Sequence, residues 1–260
     1  MGTTLLQEAW AVEVGSREPW AEDSKLYQPI EETQAQCNEK AQSLAVQSYL
    51  RMCGLDHVVE QRPNAEFISP TGSVPVLQCG SFVLADLDSI VGFVASKGIC
   101  LTSNLSAAEN ADHAAYFSLV QTVFDNAELY FSWVVPNGYE VTWKRYGSVY
   151  PWPLSDILPW SKRRAVKRAI KDWADKQERD VLEEIDSCLF ALSERLAERE
   201  WFFGSKPTEL DALVFGHLYV LAGESDGTPG SKVSSLIRKY DNLMNICSRV
   251  KNTYFKGSLT

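Results

Sequence analysis

Few side chains in this sequence have the type and spacing for chemistry. The three histidines, His57, His113 and His217, are scattered, and no Ser-His-Asp or Cys-His arrangement can be argued from them. His217 falls in the apolar run 212–223 and reads as a core histidine satisfied by a neighbour rather than as a base or ligand. The six cysteines, Cys37, Cys53, Cys79, Cys100, Cys188 and Cys247, include no Cys-x-x-Cys pair, which excludes a zinc ribbon and a dithiol redox motif. No metal site is expected, and a reducing compartment is the default. Cys53, Cys79 and Cys188 have apolar neighbours and read as small core residues. Asp86 and Asp88, the latter followed by Ser89, stand where a helix would begin and so complement its dipole. Thr208 and Asp211 have the spacing of a capping box, in which the Asp211 carboxylate returns to the cap amide and lets an almost wholly apolar helix start be buried.

The elements that position these residues follow from hydrophobic period and breakers. At 260 residues, with 45% hydrophobic and 11% aromatic content, the chain has enough apolar material for one or two domains. A net charge of -9 argues against a duplex nucleic-acid binder. Basic residues cluster at Lys162-Arg163-Arg164, Lys167-Arg168 and Lys171, but helical spacing spreads them over more than one face: a solvated surface first, a membrane or partner patch second. The first 24 residues carry Glu8, Glu13, Glu18, Glu22 and Asp23 against Arg17, the opposite of an Arg-rich transit peptide, and hold no signal-peptide hydrophobic region. The longest uncharged run, 212–223, is too short for a membrane span, so attachment to a membrane is expected to be peripheral or through a partner.

A strand is predicted at 25–28, stopped by Pro29, then a helix over 37–53 with Ala41, Leu44, Ala45, Tyr49 and Met52 on one stripe and Gly54 at its end. Strands follow at 57–61, 76–79 and 82–84, the last two joined by Gly80-Ser81, and a helix at 86–97. From 107 onward the reading is all helix, interrupted by Tyr150-Pro151-Trp152-Pro153-Leu154, where neither proline can sit in a helix interior. One long amphipathic helix is expected from Val166 to Leu196, then the capped helix at Thr208 and a last helix from Lys232 to Val250. The only loose connection is 223–230. The domain reading is an acidic, partly disordered lead (1–24), a thioredoxin-like α/β domain (25–103), an all-helical domain (104–255) and a tail (256–260). Val74-Pro75 precedes the third strand, where a thioredoxin-like fold has a cis-proline, so a cis bond is expected.

The lead-in Phe202-Phe203-Gly204-Ser205-Lys206-Pro207 and the Thr208-x-x-Asp211 box resemble the core helix in the C-terminal domain of glutathione transferase-like proteins. The resemblance implies an α/β plus all-α, transferase-like architecture. A transferase also needs a hydroxyl or thiol near the first helix's start, for which Tyr27, Cys37 and Ser43 are the candidates. Tyr27 is followed by a polar segment rather than a tight turn, and Glu31, Glu32 and Glu39 oppose a low thiol pKa at Cys37. Pro75 and the pair Asp88-Ser89 are the candidates for holding glutathione, the pair resembling the acidic-Ser anchor of such enzymes.

Several phrases are more specific: Ser43-Leu44-Ala45-Val46-Gln47, Asn64-Ala65-Glu66 with Ser69-Pro70-Thr71-Gly72-Ser73-Val74-Pro75, Ala127-Glu128-Leu129-Tyr130, Arg145-Tyr146-Gly147-Ser148-Val149-Tyr150-Pro151-Trp152-Pro153-Leu154, and the run from Pro207 to Tyr219. Together they resemble the metaxin family, in its type-2 branch, over about residues 19–254. The resemblance implies a non-enzymatic subunit without a cofactor, peripheral on the cytosolic face of the mitochondrial outer membrane. It would act in protein import and β-barrel assembly with a type-1 metaxin and the barrel core of the sorting and assembly machinery. It also implies links to motor-adaptor proteins that carry mitochondria along microtubules, and a glutathione-dependent transferase is the third reading. Tyr150, Trp152 and Trp160 have the rigid proline-aromatic setting of partner-binding anchors, while Trp152 reads equally well as a plug in a groove between the two domains.

Overall fold

The computed structural model describes residues 18–224 and 230–255, so most of the acidic lead, the middle of the 223–230 connection and the 256–260 tail lie outside the described residues. The α/β half runs β1 (Lys25–Gln28), α1 (Cys37–Met52), β2 (Val58–Gln61), the single turn α2 (Ala65–Ile68), β3 (Val76–Cys79), β4 (Phe82–Ala85) and α3 (Leu87–Ser96). The sheet order is β2-β1-β3-β4, with β1 and β2 parallel and the other pairs antiparallel. Leu26 pairs with Leu77, and Leu77 with Leu84, so one row of leucines faces the core. Gly80, at φ +57, makes the β3–β4 hairpin at the expected place. The Val74–Pro75 bond is cis as expected, and so is Trp152–Pro153.

The helical half contains α4 (Ala107–Trp133), α5 (Pro136–Gly147), α6 (Leu154–Ala169), α7 (Lys171–Ala174), α8 (Glu178–Leu196), α9 (Glu209–Ala222), α10 (Ser231–Ile237) and α11 (Asp241–Tyr254). The proline-aromatic block precedes α6, as expected. Pro159 falls inside α6, where it cannot bond to the Ser155 carbonyl; that oxygen is packed instead against Gly147, where a Cβ would lie 2.5 Å from it.

Two expectations are corrected. Residues 166–196 are not one helix: Ile170 leaves helical geometry at φ -101, ψ 38, and Gln177 is extended at φ -76, ψ 149. The Tyr130 hydroxyl donates to the Lys176 carbonyl at 3.1 Å, giving this turn a partner from α4 that a continuous helix would not need. The last helix likewise divides at Tyr240, whose hydroxyl donates to Asp186 Oδ1 at 3.0 Å on α8.

One core spans both halves, joining Tyr49, Leu50 and Ile90 to Phe124, Leu213 and Phe215. The backbones of α1 and α9 come close together. A Cβ on Gly216 would run into the Ala41 carbonyl oxygen and stand 2.8 Å from the Ala45 nitrogen and 2.9 Å from its Cβ, so small residues let the backbones touch. Of the cysteines, Cys79 and Cys188 are buried as expected, but Cys53 is only half-buried; all six are free.

Candidate functional site at the domain seam

Where α1 begins, the two halves leave a cleft of about 260 Å³. Gln36 and Glu39 form a capping box there, the Gln36 N–H donating to Glu39 Oε2 at 2.9 Å. Cys37 and Lys40 line one side of the cleft, and Glu128 of α4, Arg145 of α5 and Glu224 line others. Arg145 Nη2 donates to the carbonyls of Glu31 and Glu32, at 2.6 and 3.0 Å, so the polar segment after β1 is drawn onto α5. Burial, and then the charges of Glu128 and Glu224, push the Cys37 thiol well above its ordinary pKa. A thiol so placed stays protonated and is a weak nucleophile. Glu39, read from sequence as a charge opposing a thiolate, spends its carboxylate on the cap, and burial raises its pKa.

The other expected groups are not brought together here. Tyr27 is buried, with its hydroxyl donating to Gln78 Oε1 at 3.0 Å and its ring under Arg62 at 4.9 Å. Ser43 is buried on α1 beside a small separate recess shared with Gln28 and Gln47. Asp88 and Ser89 are exposed in the first turn of α3, and Asp88 accepts from Gln121 Nε2 of α4 at 3.3 Å, a bridge between the halves. Pro75 is buried ahead of β3. Asp86 precedes α3 at φ +67, outside the usual range for its type.

Two polar clusters at the seam escaped sequence reasoning. His217 is fully buried, with Nδ1 2.9 Å from Glu128 Oε1 and Nε2 3.7 Å from Asp125 Oδ1, and Gln42 Nε2 donates to the same Asp125 oxygen at 2.7 Å. Burial works against the charged ring, but Glu128 and then Asp125 outweigh it and hold the His217 pKa above its ordinary value. The three residues offer ligand atoms within 4.8 Å of one another. The ring gives a different nitrogen to each carboxylate, however, which is the geometry of an ion triad and not of three ligands converging on one ion. Acids three apart on α4 opposite a lone histidine in an apolar helix were the available signal. In the second cluster Glu66 accepts from the Tyr146 hydroxyl and from Lys162 Nζ at 2.8 Å, joining α2 to α5 and α6. Tyr150 extends this seam by donating to the Pro63 carbonyl at 3.3 Å. Trp152 is 81% exposed, which overturns the groove-plug reading, and Trp160 is exposed as well.

Residues 43–163 match the family described as "Outer mitochondrial membrane transport complex protein", and residues 185–250 match "Glutathione S-transferase, C-terminal domain". Metaxin-2 of Homo sapiens is 41% identical over 256 residues, 97% of each chain. Metaxin-1 of Mus musculus is 30% identical over 223 residues, 82% of this chain and 69% of its own. A glutathione S-transferase from Actinobacillus pleuropneumoniae superposes with TM-score 0.55 at 14% identity, over 90% of each chain. A glutathione transferase family member from Pseudomonas fluorescens, solved with two glutathione bound, superposes with TM-score 0.54 at 16% identity, over 93% and 94%. The two structures establish the transferase-like fold expected from the Thr208 box. The sequence relatives go further: with 41% identity to metaxin-2 over nearly its full length, the chain belongs to the metaxin family, in its type-2 branch.

Proposed function

We propose that the chain is a non-enzymatic subunit of the mitochondrial outer-membrane transport complex, working beside a type-1 metaxin in protein import and β-barrel insertion. The barrel core of the sorting and assembly machinery is its further partner, and the cytosolic face its location. The carrying observation is the identity to metaxin-2 across 97% of the chain. The match of residues 43–163 to the transport-complex family supports the membrane, and the relation to metaxin-1 supports a partner of that type. No helix among the described residues is long and apolar enough to cross a membrane, which agrees with peripheral attachment.

The seam supports the non-enzymatic part of this reading. The thiol that lines its cleft, Cys37, is held protonated, and the segment that would present a catalytic group is tied down by Arg145. Asp88, one of the three glutathione candidates with Pro75 and Ser89, is engaged with Gln121. Affinity isolation of the tagged protein from mitochondria tests the proposal: a type-1 metaxin and the barrel core are expected with it, and the absence of both overturns it. Retention on immobilised glutathione, with turnover of an electrophile lost in a Ser89→Ala protein, would establish the transferase reading instead.

A further inference from the structure

Among the exposed large apolar side chains of the described residues, four fall within one short stretch: Trp152 (81%), Leu154 (43%), Ile157 (51%) and Trp160 (56%). Trp152 stands just before α6 and the other three lie in its first half, and the same helix continues into cations. One side of α6 faces the protein: Pro159 and Val166 are buried, Lys162 meets Glu66, and Arg163 covers the Tyr139 ring at 3.5 Å. The opposite side carries Ile157, Trp160, Arg164, Lys167 and Arg168, which at about 100° per residue fall within an arc of roughly 100°. That arc contains no carboxylate, with Asp156 at its margin. Arg164 lies over the Trp160 ring, 5.7 Å from its centre. All three cations of the arc are exposed, and none forms an ion pair with the described residues; Lys171 adds a fourth just beyond the helix.

The two halves of this face have a physical division of labour. Indole rings are amphipathic and settle at the boundary between hydrocarbon and headgroups, while clustered Arg and Lys attract anionic headgroups. The face is a positive island on a chain of net charge -9, so charge complementarity selects an anionic surface. A second copy of the chain is disfavoured, because a two-fold contact through this face would set its cations against the same cations.

We propose that the exposed face of α6, with the turn that precedes it, rests on an anionic lipid surface, with Trp152, Ile157 and Trp160 at headgroup depth and Arg164, Lys167 and Arg168 against lipid phosphates and carboxylates. The chain then touches the membrane itself instead of being held there only by its partner. The inference rests on the membrane placement proposed above, and a lipid-only assay separates the two.

The purified full chain is floated with vesicles of phosphatidylcholine alone and of phosphatidylcholine mixed with phosphatidylserine, at low and high salt. Binding is expected only to the mixed vesicles, weakening with salt. Each of Arg164→Gln, Lys167→Gln and Arg168→Gln lowers the partition roughly fivefold. Trp152→Ala with Trp160→Ala also weakens binding while leaving the charges in place. These positions are exposed, and circular dichroism checks that each variant folds. Absent binding of the parent to mixed vesicles, or full binding by the triple charge variant, overturns the proposal. So does a parent that is dimeric in solution and becomes monomeric on Trp160→Ala, since the face would then be an interface between copies. A triple variant that loses the type-1 metaxin in affinity isolation makes the face a protein interface and overturns it equally. If the parent fails to float but still isolates with that partner, the lipid contact falls and the import reading stands.

Discussion

Asp211 accepts three hydrogen bonds at the buried start of α9: from the Thr208 amide at 2.7 Å, the Thr208 hydroxyl at 2.8 Å and the Phe202 amide at 3.1 Å. The sequence pattern accounts for the first; the third ties the lead-in to the cap. Asp211→Ala strands two buried amides at about 1–3 kcal/mol each, so a loss of about 2–6 kcal/mol is expected in denaturant titration, with part recovered in Asp211→Asn. An unchanged midpoint would refute this. His217 gives a second prediction, one of pH. Its folded pKa lies above the unfolded value of 6.5, so its contribution is complete below pH 6.5 and is lost as pH rises through the folded value. Glu128, whose pKa is raised by burial, acts with the same sign, but its contribution begins to fall already above its unfolded value of 4.5. Unfolding free energy of the parent should therefore decline above pH 6.5, by at most about 1.4 kcal/mol per pH unit for each proton. In His217→Gln the decline flattens; parallel curves for the two proteins would sink the assignment.

At the scale of elements, the contact between α1 and α9 decides whether the halves close. Gly216→Ala forces a methyl against the Ala41 carbonyl oxygen and the Ala45 nitrogen and Cβ, and the first two are backbone atoms that no substitution on α1 removes. A loss of about 1–3 kcal/mol is expected from such overpacking, and a larger one in Gly216→Val. An unchanged denaturation midpoint in both variants would show that the contact is not tight. In sequence Gly216 marked only an interruption of an apolar run; that it is a contact point depends on Ala41 and Ala45, more than 170 positions away. The same distance rule explains what was legible. The Thr208 cap, the Gly80 hairpin and the proline-aromatic break are each written within a few residues. The breaks at Ile170 to Gln177 and at Tyr240 were not legible, because buried Ile170, Trp173 and Leu243 keep the apolar period running through them. The groups bound at those breaks, Tyr130 and Asp186, lie 46 and 54 positions away. Cys37 was readable as a thiol at a helix start, but Glu128 and Arg145, which fix its chemistry and close its surroundings, come from other helices.

For the whole molecule, the seam is the largest structural commitment the chain makes. Its apolar part is continuous, since Tyr49 and Ile90 of the α/β half share one cluster with Phe124 and Phe215 of the helical half. Its polar part comes in separate strands of contact: Arg145 to the 31–32 carbonyls, Glu66 to Tyr146 and Lys162, Gln42 to Asp125, and Arg51 to the Tyr254 carbonyl at 2.9 Å. Neither half can leave without exposing apolar surface and breaking several of these bonds, so the free energy of opening the seam is close to that of unfolding a half. Thermal unfolding should then be a single transition, with calorimetric and van't Hoff enthalpies equal and tryptophan fluorescence coincident with far-UV dichroism. Gly216→Ala should shift that whole transition downward instead of splitting it. Two resolved transitions in the parent would mean that the halves are held independently, and the seam would then be open to a ligand or partner. A single transition makes the molecule one rigid presenter of its outer faces, which is what a subunit needs if it works by contact and not by turnover.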